Sequence, residues 1–441
     1  QAREHGDHTL LVCPLYAALA PAAQQRALSR APPGRRKIVL STTLAEASVT
    51  VPGVANVVDC GFARVRCHDG ATGVDALVVA PISQAAAVQR AGRAGRTGPG
   101  RCYRLYCEAD FAKLPVATVP EIQRVPLAPL VLQLKALGVG SLARFDFLTP
   151  PPAEALARAL ELCTALGALD SEGRLTTPLG TQMALLPLEP QLARAVIAAA
   201  TTHGCSEELV KIAAVLSVRS VFADPSSSSA TSSRAGGADG HNAMGQRTRQ
   251  ALADLARRQF AVREGDHLTY LNVLNAYQRV ASASPAGAAD AWCREHGLRA
   301  DVLRAACGVQ RQLRAHCRRA GIALVALSGT DATPVVRSLA AGLFANAAVR
   351  QADGSYRALG ARCAALAVHP QSVLRDEAPE WVVYSELALT TRPYMRDVTA
   401  VTPQLLQAAA PQYFQLRTSA EAAAASSSAA VRLAPSTTGC I

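Results

Sequence analysis

Lysine is nearly missing from this chain. Of its 45 basic residues only Lys37, Lys113, Lys135 and Lys211 are lysines, and the other 41 are arginines. No apolar run of about 18 residues occurs, which excludes a membrane-spanning helix. The 12 cysteines form no Cys-x-x-Cys pair and none is spaced with His as in a zinc finger, so neither a metal site nor a disulfide frame is expected. Several cysteines fall inside apolar patterns, as buried free thiols of a reducing compartment do. No G-x-x-x-x-G-K-[ST] loop is present, so a phosphate-cradling P-loop is excluded. No acidic pair is fit to hold Mg²⁺ at a strand end. Asp376-Glu377-Ala378-Pro379 imitates one, but it precedes a strand and closes with proline. The chain opens at Gln1-Ala2-Arg3, without an initiator Met or a signal-peptide pattern. It is expected to be a fragment, or the product of a gene model lacking its 5′ end.

What is present is a basic, well-cored chain. Its 441 residues predict about three domains. The net charge of +12, carried on permanently charged arginine forks, suits a polyanion such as nucleic acid. A drift toward Ala and Arg that serves only solubility remains the alternative. Over 1–107, short β-branched runs at 37–40, 54–59 and 77–80 alternate with helical stretches such as 16–28, as in a parallel α/β sheet. Residues 120–137 and 154–166 read as helices, followed by a tight hairpin over 169–176. Two helices and a small hairpin suggest a winged helix over 108–177. Residues 178–319 read as helical, with Ser206 as an N-cap. They are interrupted by a Ser- and Gly-rich flexible insert at 223–245. Strands return over 320–417, at 355–359, 363–368 and 381–389. An Ala/Ser-rich disordered tail is expected over 418–441.

The densest signal is Gln89-Arg90-Ala91-Gly92-Arg93-Ala94-Gly95-Arg96. On a helix, Gln89, Arg93 and Arg96 share one face at i, i+4 and i+7. Gly92 and Gly95 would leave the adjoining surface bare for another backbone. Two guanidinium forks on such a face can grip the oxygens of a transferring phosphoryl group. The second signal is Ser41-Thr42-Thr43-Leu44-Ala45-Glu46-Ala47-Ser48-Val49-Thr50-Val51-Pro52-Gly53, directly after the 37–40 strand. Hydroxyls and free N–H groups at the carboxyl end of a parallel strand suit a phosphate backbone. The same residues also suit a turn that caps a helix. Arg304, Arg311, Arg314 and Arg318 form a helical stripe, read first as a solvated face and second as a phosphate track.

On these residues the chain resembles the C-terminal half of a DEAH-box ATP-dependent RNA helicase. Residues 37–53 resemble the family's motif V and 89–96 its motif VI. Further stretches follow in the family's order: Pro14-Leu15-Tyr16, Pro120-Glu121-Ile122-Gln123-Arg124, Phe145-Asp146-Phe147, Leu186-Pro187-Leu188-Glu189-Pro190, Glu264-Gly265-Asp266-His267-Leu268-Thr269, His369-Pro370-Gln371-Ser372 and Glu380-Trp381-Val382-Val383-Tyr384. The resemblance covers roughly 10–416. It implies a second RecA-like domain over 1–107, incomplete at its N-terminus, then a winged helix, a ratchet-like helical domain and an OB-fold barrel.

The resemblance also implies site roles. Arg93, Arg96 and Gln89 would be catalytic and face the γ-phosphate, with Gly53 also on the ATP side and with Ser48 and Thr50 there linking RNA to nucleotide. Thr42, Thr43, Glu46 and Arg64 would face RNA, and 62–80 would form a strand-separating hairpin. ATP and Mg²⁺ would be held mainly by a first RecA-like domain that this sequence does not contain. RNA would be bound through its sugar-phosphate backbone, a protein activator would dock at the OB-fold, and the setting would be the nucleus or nucleolus, with the cytoplasm as the alternative and secretion not expected. Motif V departs from the family at Thr43 (usually Asn), Ala47 (usually Thr) and Pro52 (often Asp). The alternative reading is a non-catalytic RNA-binding module without the motor. An ordinary α/β nucleotide-binding enzyme is disfavoured by the missing P-loop.

Overall fold

A computed structural model describes residues 9–17, 19, 21–47, 49–69, 74–96, 98–218, 220–223, 255–283, 285, 287–360, 365–389, 392–416 and 431–433. Ser48, nearly all of the expected insert at 223–245 and the tail expected from 418, apart from 431–433, lie outside the described residues. The chain divides into two compact units. Unit 1 holds 1–67 and 77–125, and unit 2 holds 68–76 and 126–441.

Unit 1 is built on parallel strands, as the alternating pattern predicts. Strand β1 (Thr9–Leu15) runs parallel to β2 (Arg35–Ser41), with Val12 opposite Ile38. Strand β3 (Asn56–Asp59) runs parallel to β6 (Arg101–Arg104). Neither β1 nor β6 stands among the expected strands; β6 has four residues and carries arginine at each end. The inner face of β1 and β2 buries Cys13 and Leu15 against Ala27, with Val39, Leu44 and Val51 around them. Burying one Leu side chain is worth about 2 kcal/mol. The opposite face stays open, and Leu10, Val12, Ile38 and Leu40 are all exposed. The helix expected over 16–28 is observed only as Pro21–Leu28. Lys37 Nζ ends it by donating to the carbonyls of Ala27 (2.6 Å) and Ser29 (2.5 Å), as a cation at a helix C-terminus should. Strands β4 (Phe62–Asp69) and β5 (Val74–Pro81) are neighbours, consistent with a hairpin over 62–80.

The unit runs on to Val125 because the segment after β6 serves the helix Gln84–Ala91. The N–H groups of Gln84 and Ala85 donate to the carbonyls of Pro115 (2.8 Å) and Val116 (3.1 Å). Ser83 caps the same helix by accepting from the Ala86 N–H at 3.1 Å.

In unit 2 the helices Ala128–Ala136 and Ala153–Ala165 pack together. An antiparallel bridge pairs Leu169 with Leu175, closing a tight hairpin in which Gly173 has φ +71°. Helix Ser206–Leu216 is capped at Cys205, not at Ser206 as expected. Ser206 lies inside the first turn. Its hydroxyl donates to the Ala323 carbonyl (2.7 Å) and accepts from the Val325 N–H (2.8 Å). A sequence-distant segment has outbid the local cap. Helices Asp266–Ala283 and Ala300–Arg319 complete this layer. The expected arginine stripe is divided. Arg304 pairs with Asp290 and Arg314 with Glu207, whereas Arg311 and Arg318 are exposed.

The OB-fold follows. Strand β10 (Trp381–Leu389) pairs antiparallel with β11 (Pro393–Ala400) and with β7 (Ala347–Arg350), β7 pairs with β8 (Tyr356–Ala358), and the short β9 (Ala367–Val368) runs parallel to β11. Tyr356, Leu366, Leu374, Val382, Tyr384, Met395 and Val398 fill its core. Within unit 2, Asp75 and Ala76 also pair with Ala388 and Leu389 of β10.

The Glu264–Thr269 stretch fastens the 266–283 helix to these strands. Asp266 accepts from the N–H groups of Val373 and Val398, both at 2.8 Å. Gly265 has φ +125°, and a Cβ there would lie 2.2 Å from the Val398 carbonyl, so only glycine fits. His267 is fully buried between Thr399 Oγ1 (2.7 Å) and Ser385 Oγ (2.9 Å). Burial pushes its imidazole down to about 3.

That shift has a signed consequence. His267 stays neutral inside the fold but takes up a proton near its ordinary value, about 6.5, once unfolded, so its contribution is lost as pH falls below that value. Burial holds Asp397, bonded by Tyr270, up to about 6, and this opposes the loss because the folded state then takes a proton first. His267→Gln keeps a hydrogen-bonding side chain but does not titrate. The fall in Tm between pH 7 and pH 5 should be smaller in this variant than in wild type. An equal fall by calorimetry would place the titration elsewhere.

Candidate functional site

The site lies in unit 1, around the turn after β2 and the end of the Gln84–Ala91 helix. Ser41 Oγ bonds to the Leu15 carbonyl (3.1 Å), and the Thr42 N–H donates to the same carbonyl (3.2 Å). The turn is thereby fixed to the end of β1. Thr42 and Thr43 follow with exposed side chains at the carboxyl end of β2, the edge where open parallel sheets present their ligand crevice. A single helical turn, Leu44–Ala47, comes next. Pro52 and Gly53 then reverse the chain. Gly53 has φ +76° and open space around it, so glycine serves the turn there.

The expected single helix through 89–96 is corrected. The helix stops at Ala91 with Gly92 as its C-cap. Beyond it, the N–H groups of Arg93 and Ala94 donate to the carbonyls of Arg90 and Ala91, both at 3.1 Å, as tight turns. Two glycines three residues apart make further helix costly, at about 1 kcal/mol each. Gly95 has open space beside it and Gly92 meets ordinary contacts. The close approach is at Gly100 instead, where a Cβ would come within 2.2 Å of the Ala94 carbonyl.

The two arginines nevertheless converge. Arg93 Nη1 donates to the Val49 carbonyl at 3.4 Å, and Arg96 Nη1 donates to Thr50 Oγ1. Gln89 is exposed on the last turn of the helix. Arg93 Nε is buried and finds no hydrogen-bond partner among the described residues. A buried, unpaired N–H suits an acceptor-rich anion such as a phosphate. Arg64 is exposed on β4. Among the described residues no group of three or more His, Cys, Asp or Glu could hold a metal ion.

Sequence reasoning missed the group that holds these parts together. Asp59, at the end of β3, is 1% exposed. It accepts from Arg90 Nη1 (2.7 Å), the Gly61 N–H (3.0 Å) and Tyr106 Oη (2.8 Å). Burial pushes its carboxyl up, but these donors more than offset that and hold it below the usual carboxylate range. Arg90 Nε donates to Glu46 at 2.9 Å. Glu46 is thus engaged by a neighbouring helix rather than standing free in the turn. An aspartate closing the run Val57-Val58-Asp59 ahead of Gly61 was the available signal.

The chain matches four family models. They are a helicase conserved C-terminal domain over 3–98 and two helicase associated domains (HA2), winged-helix over 159–188 and ratchet-like over 189–270. The fourth is an oligonucleotide/oligosaccharide-binding (OB)-fold over 335–413. It is 40% identical over 415 residues to the probable ATP-dependent RNA helicase DHX35 of Homo sapiens, covering 94% of this chain and 55% of that protein. It is 41% identical over 409 residues to the pre-mRNA-splicing factor ATP-dependent RNA helicase prp22 of Schizosaccharomyces pombe, covering 92% of this chain and 32% of that protein. Against the pre-mRNA-splicing factor ATP-dependent RNA helicase DEAH10 of Arabidopsis thaliana the identity is 38%, over 92% of this chain and 54% of the relative. The chain spans about half the length of the DHX35 and DEAH10 proteins. With these modules in this order, and with that identity across nearly its whole length, the chain belongs to the DEAH-box family of RNA helicases and corresponds to their C-terminal part.

Proposed function

We propose that this chain supplies the RNA-facing and phosphate-facing side chains of an ATP-dependent RNA helicase that couples ATP hydrolysis to RNA unwinding or ribonucleoprotein remodelling. The observation that carries this reading is the convergence of Arg93 and Arg96 on the 49–50 segment, just past a helix that presents Gln89. Bound ATP with Mg²⁺ would bring the phosphoryl group to be transferred. Arg93 and Arg96 would neutralise the charge growing on its oxygens, and Gln89 would orient the attacking water. Ser48, Thr50 and Gly53 would line the nucleotide side. Thr42, Thr43 and Arg64 would contact the sugar-phosphate backbone, and Glu46 would support that turn. The names of two relatives, both pre-mRNA-splicing factors, support a nuclear setting. A protein activator would dock on the OB-fold.

RNA binding by the chain should be weak, indifferent to sequence and dependent on salt, because phosphate contacts dominate such binding. Titrating a labelled oligonucleotide at two salt concentrations tests this, and an affinity that ignored salt would contradict it.

The chain alone should not hydrolyse ATP, since its sequence holds no phosphate loop. Assembled with a first RecA-like domain, it should. In that assembly Arg93→Ala or Arg96→Ala should lower kcat by about 10³ or more while the fold survives. Lysine should rescue poorly, because a point charge does not replace the fork. A loss below about tenfold in both alanine variants would remove the arginine-finger role and favour an RNA-binding module without a motor.

A further inference from the structure

Arg90 lies between two sets of residues to which different ligands have been assigned. It neighbours Gln89 and begins the turn that carries Arg93 and Arg96. Its own guanidinium has other partners. Nη1 donates to Asp59 (2.7 Å) and to the Phe62 carbonyl (3.2 Å), and Nε donates to Glu46 (2.9 Å). The Arg90 and Glu46 side chains are 15% and 16% exposed. Asp59 is immobile by construction. It terminates β3, and Tyr106 holds its second oxygen while packing under Gly61, where a Cβ would meet the ring at 2.8 Å. Glu46 is different, since it sits on a helix of four residues directly after Thr42 and Thr43. That helix leads into Val49 and Thr50, which accept from Arg93 and Arg96.

We propose that Arg90 is a positioning residue that couples RNA occupancy to ATP hydrolysis, with Asp59 as its fixed anchor and Glu46 as its moving partner. The inference rests on the proposed function. RNA that engages the Thr42–Thr43 turn shifts the 44–47 helix. That shift reaches Arg93 and Arg96 through Glu46 and Arg90 into the motif VI backbone. The fork geometry is required, because one planar group has to hold a fixed and a moving carboxylate together. Lysine, a single point charge, would stay with Asp59 and release Glu46.

The test uses the ATPase assembled with a first RecA-like domain. Its readouts are kcat with and without a saturating single-stranded oligouridylate, KM for ATP, and RNA affinity by fluorescence anisotropy. In Arg90→Lys and in Glu46→Gln, the ratio of kcat with RNA to kcat without it should fall about tenfold. KM for ATP should stay within about twofold of wild type in both variants, and so should RNA affinity in Arg90→Lys. Tyr106→Phe removes one donor to the anchor and leaves the Glu46 link. It should lower Tm while leaving the ratio intact. Should Arg90→Lys fail to fold, Glu46→Gln decides alone. An unchanged ratio in Glu46→Gln overturns the proposal, and so does an equal loss in Tyr106→Phe, which would mark general loosening of the hub. A wild-type assembly whose ATP hydrolysis RNA does not stimulate would instead defeat the proposed function.

Discussion

A carboxylate shut away from water must be neutralised where it stands, because an uncompensated buried charge costs several kcal/mol. Asp59 imposes that demand on unit 1. Arg90 meets it from the Gln84–Ala91 helix, Gly61 from the following turn and Tyr106 from beyond β6. The orientation of that helix is therefore tied to the end of β3. The turn at 92–96 begins where this helix ends, so the directions of Arg93 and Arg96 follow from it. Arg90 is still not spent on one partner, and its Nε reaches Glu46 in the turn after β2. Two ionic contacts of one arginine thus link both halves of the site.

Unit 2 uses the same principle in a different join. Asp266 opens the 266–283 helix and takes two backbone N–H groups from the OB-fold, one within β11 and one in the turn at 373. Burial pushes its carboxyl up even against those donors. His267 answers with both ring nitrogens bonded to hydroxyls. In each unit a buried polar group fixes the relative placement of two elements that hydrophobic packing alone would leave free to slide. The Glu264–Thr269 stretch is accordingly a fastening between a helix and a sheet.

The parts legible in the sequence were those governed by local rules. The strand at 37–40, the helix at 154–166 and the strand at 381–389 stand close to where periodicity puts them, at Arg35–Ser41, Ala153–Ala165 and Trp381–Leu389. The arginines and hydroxyls of the site were also visible, since residue type and spacing carry their chemistry. Long-range partners were not. Arg90 reaches Asp59 across 31 residues and Glu46 across 44, and no periodicity encodes such a pairing. Ser206 looked like a cap because capping is local, but Ala323 and Val325 claimed its hydroxyl from over a hundred residues away. The end of the helix at Ala91 was a matter of degree. Alternating Gly and Arg allowed a helical face on paper, whereas backbone entropy favoured turns.

The scarcity of lysine has a consequence for covalent chemistry at amines. The chain offers four side-chain amines. Lys37 closes a helix, Lys135 donates to the Gly140 carbonyl at 2.6 Å and Lys211 to Asn275 at 2.8 Å. Acylating any of these three trades a specific contact for a tag. Lys113 is 76% exposed and only loosely paired with Asp110, at 3.6 Å. Lys113, on the helix Glu108–Lys113 of unit 1, is therefore the side-chain amine whose labelling or crosslinking disturbs the fewest contacts of the fold.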